Sequence, residues 1–136
     1  MPSPKGRLTV TPERLLAEAE RARGHAYAPY SRFRVGAALL TAEGRLIRGC
    51  NVENASSGLA ACAESIAVWK AVSEGERDIV AVAVAAGIGR EAAPCGRCRQ
   101  VLLELAPRAW VCWRDARGRV IRRSVRSLLP RPFGLG

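Results

Sequence analysis

Apolar and small residues recur at helical spacing near the start of the chain, where Leu15, Leu16, Ala19 and Ala22 share one face. Thr11-Pro12-Glu13 stands before them as a helix start, Thr11 as cap and Pro12 at the first helical position, and Gly24 ends the run. Ala28-Pro29-Tyr30-Ser31 reads as a loop. From Phe33 to Thr41 the chain is apolar and partly β-branched, Glu43-Gly44 turns it, and Arg45 to Asn51 returns as the paired strand. A loop of small residues, Asn54 to Ala61, leads into a second helix over Cys62 to Ser73, with Ile66, Trp69, Lys70 and Ser73 at helical spacing and Gly75 closing it. Ile79 to Ala86 is a continuous apolar run, as expected of a central strand covered on both faces. Pro94-Cys95 opens a third helix through Leu105, which Pro107 ends. Ala109 to Trp113 and Arg119 to Val125 then flank the turn Asp115 to Gly118 as two further strands.

The order αββαβαββ predicts an α/β fold, a three-layer α/β/α sandwich around a mixed sheet of about five strands. The chain is 136 residues without repeats or low-complexity segments, which fits a single domain over 11–136 behind a flexible N-terminal tail over 1–10. Hydrophobic residues make up 49% and charged residues 25%, enough apolar surface for a core and too much for disorder. No apolar run approaches the roughly 20 residues of a membrane span. Lys5 and Arg7 are followed by no apolar stretch of the signal-peptide kind, so a cytoplasmic protein without membrane contact is expected.

Basic residues outnumber acidic ones by 22 to 12, a net charge of +10, which raises a nucleic acid or another polyanion as a partner. Lysine occurs only at Lys5 and Lys70, and the arginines are scattered among many alanines, a pattern of compositional bias more than of a designed patch. The densest stretch, Arg114 to Arg126, lacks the interleaved aromatics that stack single-stranded bases. Nucleic acid is therefore not the expected partner.

Five cysteines, Cys50, Cys62, Cys95, Cys98 and Cys112, form an odd set unsuited to a disulfide framework. Cys95-Gly96-Arg97-Cys98 is a Cys-x-x-Cys pair at a helix start, which by itself suits a metal and a thioredoxin-like redox pair equally. Cys62, at another helix start, decides for metal if the fold brings it near. Three thiolates without a fourth protein ligand leave one position of a tetrahedral zinc open, the catalytic arrangement. His25, the one histidine, lies in a loop and reads as a surface or packing residue; Cys50 and Cys112, in strand segments, read as small buried hydrophobes. Glu64 follows Cys62 by two positions, where a carboxylate can take a proton from an activated water and hand it to a leaving group.

Cys62-Ala63-Glu64 followed by Pro94-Cys95-Gly96-Arg97-Cys98-Arg99-Gln100 resembles the zinc-dependent cytidine deaminases, the class whose zinc chemistry is a standard example of hydrolytic base deamination. Tyr27 to Leu39, Gly49 to Ala55 and Leu128 to Gly134 are also similar to the small homotetrameric branch of the cytidine/deoxycytidylate deaminase family. The resemblance implies Zn²⁺ on Cys62, Cys95 and Cys98, with Glu64 shuttling protons while zinc-activated hydroxide attacks C4 of the pyrimidine and ammonia leaves. It implies Asn51 and Glu53 on the ribose hydroxyl, Phe33 packed on the nucleoside, Ala63 in the substrate pocket, and Phe133 reaching the base from a neighbouring subunit of a homotetramer. The implied activity is deamination of cytidine and 2′-deoxycytidine to uridine and 2′-deoxyuridine in pyrimidine salvage.

Two positions depart from that branch. Ser65 stands where arginine usually follows Cys-Ala-Glu, and Ser57 where tyrosine often stands. Three thiolates on a zinc dication leave a charge of about −1, which the usual arginine offsets by donating to a ligand sulfur. Arg97, between the two cysteines, is expected to supply that charge and that donor here. Ser57, Ser65 and Arg97 motivate one alternative, a deaminase of a cytosine antibiotic such as blasticidin S or of a modified cytidine; the net charge motivates another, a nucleic-acid-binding or editing protein. Glu53 and Phe133 speak against both, and Glu64 speaks against a non-catalytic zinc module.

Overall fold

A computed structural model describes residues 10–135. Of the tail expected over 1–10, residues 1–9 lie outside the described residues, while Val10 is half-buried and packs against the core. Helix α1 spans Pro12–Arg23, with the Thr11 hydroxyl accepting from the Arg14 amide at 3.2 Å and Pro12 in the first turn. The hairpin of β1 (Gly36–Thr41) and β2 (Leu46–Cys50) turns through Gly44, whose φ of +90° suits glycine. Helix α2 (Ala63–Ser73), β3 (Ile79–Ala85), α3 (Gly96–Leu105), β4 (Trp110–Arg114) and β5 (Val120–Ser124) follow.

The five strands form one mixed sheet in the order β2-β1-β3-β4-β5, parallel between β3 and β4 and antiparallel elsewhere. Alternation of side chains sorts the core into two layers. Leu15, Leu16 and Ala19 of α1 pack on Ala38, Ala81, Ala83 and Ala85, a face of small residues that lets the helix lie close. On the opposite face Leu39, Val82, Val84 and Val111 meet Ala67, Val68 and Leu102 of α2 and α3. One helix on one face and two on the other complete the three-layer α/β/α sandwich. Among the described residues no helix is long and apolar enough to cross a membrane.

Most strand ends shift by one residue from the sequence pattern, and two differences have local reasons. The strand expected from Phe33 begins at Gly36, because the Asn51 side chain takes the place of a neighbouring strand: its Oδ1 accepts from the Val35 amide at 2.9 Å and its Nδ2 donates to the Phe33 carbonyl at 2.8 Å. The last strand stops at Ser124, and Val125 opens a 3₁₀ turn over Val125–Leu128, where the Ser124 hydroxyl caps the Ser127 amide at 3.3 Å.

Candidate active site

Two helix starts on the same face of the sheet bring the chemistry together. Cys62 is the cap of α2 and Cys95 the cap of α3; both are extended, and neither thiol is used to cap its own helix. Both are free to face one another, and Cys98, one turn into α3, joins them from beneath. The three sulfurs lie within 4.8 Å of one another. Two thiolates on one tetrahedral zinc, at about 2.3 Å each, stand about 3.8 Å apart, and Cys62 Sγ lies 3.7 Å from Cys95 Sγ. The donor set therefore fits a zinc ion with one position left for a non-protein ligand. A redox pair would involve Cys95 and Cys98 alone; the third sulfur removes that alternative.

The electrostatics favour thiolate character at Cys62. Cys62 is pulled down to about 6, first by a hydrogen bond from Cys98, with further help from Cys95 and the Arg97 charge against the cost of burial. Cys98, buried and acting as that donor, is pushed up correspondingly. Cys50 and Cys112 take no part: burial raises the Cys50 thiol and pushes Cys112 up to about 12, as for inert packing cysteines. Cys112 is fully buried and Cys50 half-buried. His25 is exposed and outside the site.

Glu64 lies in the first turn of α2, 4% exposed, and burial pushes its carboxyl up to about 7. A side chain that far inside is the unusual feature here, since glutamate is rarely buried without a function or a partner. It lines a cavity of about 310 Å³ together with Cys62, Ala63, Cys95, Phe33, Asn51 and Glu53. The structure thus gathers two of the three cysteines, Glu64 and, of the residues expected on the nucleoside, Phe33, Asn51, Glu53 and Ala63 around one space.

The far wall is built by residues 51–53, which are bridged on both sides: Val52 pairs with Tyr27 and with Ala61. Asn51, as above, clasps the backbone on both sides of Arg34. Glu53 accepts from the Tyr30 and Ser31 amides at 3.0 and 3.1 Å and from the Ser31 hydroxyl, and that hydroxyl, ahead of the two amides, holds its carboxyl below the usual glutamate value. Both side chains therefore also fix the segment that presents Phe33 to the cavity. Ser31 is a site residue that the loop pattern of Ala28 to Ser31 does not single out; the signal is a serine two residues before the aromatic.

Of the two parts expected of Arg97, the charge on the cluster is present and the hydrogen bond to a sulfur is not. Its guanidinium donates to the Ala60 carbonyl at 3.2 Å, and among the described residues it makes no hydrogen bond to a sulfur. The sulfur partner is Ser65, 1% exposed, whose Oγ stands 3.4 Å from Cys98 Sγ. The reason is positional: Arg97 sits on the exposed side of the first turn of α3, whereas Ser65 faces inward from α2 toward the buried cysteine. Arg97 acts on the cluster through space, as a charge that lowers Cys62. Arg99, also unassigned from sequence, ties the cysteine loop down by donating to the carbonyls of Pro94 at 2.8 Å and Leu128 at 3.2 Å.

Phe133 is not in this chain's own cavity. It is 74% exposed, and Leu135 beside it is 95% exposed.

Comparison with known proteins gives a consistent result. Residues 9–114 match the model of the family described as the cytidine and deoxycytidylate deaminase zinc-binding region. The cytidine deaminase of Halalkalibacterium halodurans is 52% identical over 120 residues, which covers 88% of this chain and 91% of that protein. The crystal structure of cytidine deaminase from Burkholderia pseudomallei superposes with a TM-score of 0.85 at 46% identity, covering 91% of this chain and all of the other. The blasticidin-S deaminase of Bacillus cereus is more distant, 34% identical over 105 residues, 71% of this chain and 74% of that protein.

Proposed function

This chain belongs to the cytidine and deoxycytidylate deaminase family, and from that premise we propose that it hydrolyses the C4 amino group of cytidine and 2′-deoxycytidine, giving uridine or 2′-deoxyuridine and ammonia. The observation that carries this reading is a buried glutamate beside three converging thiols in a cavity of nucleoside size.

Cys62, Cys95 and Cys98 hold Zn²⁺, which when bound supplies the Lewis acidity that makes water a nucleophile at neutral pH. Glu64 is the proton carrier. A carboxyl pushed up to about 7 can accept a proton from water and return it to the amino nitrogen, so that ammonia and not amide ion leaves. The proton and the water oxygen are accounted for: one water is consumed and one ammonia released.

Phe33 packs against the nucleoside, and Ala63, with no side chain beyond its Cβ, lets the ring approach the start of α2. Asn51 and Glu53 meet the ribose hydroxyl with the hydrogen-bonding capacity left by their backbone contacts. A half-buried pair that hydrogen-bonds a sugar hydroxyl discriminates, because a substrate lacking the hydroxyl leaves it unpaired. The exposure of Phe133 supports its insertion into the site of a neighbouring subunit, and hence a homotetramer with shared sites. Five unpaired thiols suit a reducing compartment, in support of a cytoplasmic role in pyrimidine salvage.

Deamination of a cytosine antibiotic is not favoured, since the identity to the blasticidin-S enzyme is well below that to the cytidine deaminases and Glu53 is kept. The test is ammonia release from cytidine, 2′-deoxycytidine, blasticidin S, cytosine and a cytosine-containing oligonucleotide. Turnover of the first two far above the rest is expected; preference for any other would overturn the assignment.

A further inference from the structure

The nucleoside pocket does not account for a second cavity that shares one wall with it. This space, about 270 Å³, lies on the other side of Phe33 and is lined by Arg23, Arg32, Arg34 and Arg90. Two of the four guanidinium groups are positioned by the fold. Arg23 donates through Nε to Glu20 and lies against Gly87, where an added Cβ would stand 3.3 Å from Cζ. Gly87 has a φ of +92°, so glycine serves there both the turn and the seat of the arginine. Arg90 lies over the Phe33 ring with Cζ 4.9 Å from its centroid. Arg32 and Arg34 flank Phe33 in sequence and pair with no carboxylate among the described residues. Arg32 also holds a φ of +60°, which a non-glycine residue rarely adopts.

Four cations around one small space repel one another, and Glu20 offsets a single charge. What completes such a site is an anion with several negative oxygens. One phosphomonoester carries about −1.5 to −2 at neutral pH, which leaves part of the positive charge unmatched. A di- or triphosphate matches it and offers each arginine planar, two-point hydrogen bonding.

We propose that Arg23, Arg32, Arg34 and Arg90 form a binding site for the polyphosphate of a nucleotide, adjoining the nucleoside pocket through Phe33. The role of the adjoining pocket rests on the deaminase reading above; binding of the polyphosphate does not.

Inorganic pyrophosphate, CTP and a single-stranded oligonucleotide are titrated by calorimetry into the zinc-loaded protein, and again into Arg32→Ala and Arg34→Ala. Cytidine turnover is assayed on the same preparations. Pyrophosphate and CTP are expected to bind one per chain, more weakly at higher salt, and each substitution to cost about 10-fold or more in affinity, the worth of one charged hydrogen bond. Absence of pyrophosphate binding, equal binding by the variants, or tight binding of the oligonucleotide alone would overturn the proposal. Pyrophosphate binding without cytidine turnover would leave this site standing and refute the proposed function instead.

Discussion

Gly49 offers the most direct check on how the sheet positions the metal cluster. It lies buried in β2 beneath α2, and a Cβ there would stand 2.6 Å from the Ala67 amide nitrogen and 2.8 Å from the Ala63 carbonyl oxygen. Both atoms are helix backbone, so no side chain can rotate away. To restore even a tight contact of 3.4 Å, α2 must retreat by roughly 0.8 Å. Overpacking of this kind costs about 1–3 kcal/mol, and the lower chain entropy of alanine returns about 0.4–1 kcal/mol. A net loss of roughly 1–2 kcal/mol is expected for Gly49→Ala. The same retreat carries Cys62 and Glu64 away from Cys95 and Cys98, which belong to α3. A misplacement near 1 Å can cost on the order of 100-fold in rate. Denaturant midpoints at unchanged slope, zinc affinity by chelator competition and cytidine turnover measure the three effects. Gly58→Ala is the control, since its Cβ would meet nothing within 4 Å. Were Gly49→Ala within about 0.5 kcal/mol of the parent, with zinc affinity and turnover unchanged, the seating of α2 would not depend on this glycine.

Glu64→Gln is expected to retain zinc and fold while turnover falls by about 10² to 10⁴ or more, the usual worth of a general acid–base group; near-normal rates would return Glu64 to the status of a buried structural carboxylate. Ser65→Ala removes the hydroxyl on Cys98 and should weaken zinc by about 10-fold or more, whereas Arg97→Ala, which removes only a through-space charge, should weaken it less; chelator competition giving the reverse order would restore Arg97 as the sulfur's partner. Glu53 has its pKa lowered in the folded state, so its contribution is present above the ordinary glutamate value of 4.5 and fades as pH falls through the lower folded value. Glu53→Gln should therefore be less stable at pH 7 and lose less on acidification; unfolding curves with the same acid slope as the parent would contradict this. Phe133→Ala should raise the KM for cytidine without loss of zinc, and an unchanged KM would remove Phe133 from any shared site.

How far the site was legible depended on whether the chemistry was local. The cysteines announce themselves because metal ligation from a helix start needs two sulfurs about one turn apart, and Cys95 and Cys98 meet that within four residues. Glu64 was legible by its offset from Cys62. The donor expected of Arg97 fell to Ser65 because adjacency in sequence says nothing about which side of a helical turn faces inward: one turn of α3 buries Cys98 and exposes Arg97. Strand ends were displaced where a side chain replaced a backbone partner, as Asn51 does for Phe33 and Val35.

Periodicity and punctuation along the chain determined the element order, the central place of the Ile79 run and the two helices that begin at cysteine, since these rest on forces between residues a few positions apart. The tertiary structure alone decided that Cys62 comes within 3.7 Å of Cys95 across 33 positions, that Ser65 and not Arg97 hydrogen-bonds a ligand sulfur, and that four arginines from three segments gather beside Phe33. Those outcomes depend on how α2 and α3 seat side by side on one sheet face, a packing relation between distant segments that no local pattern encodes.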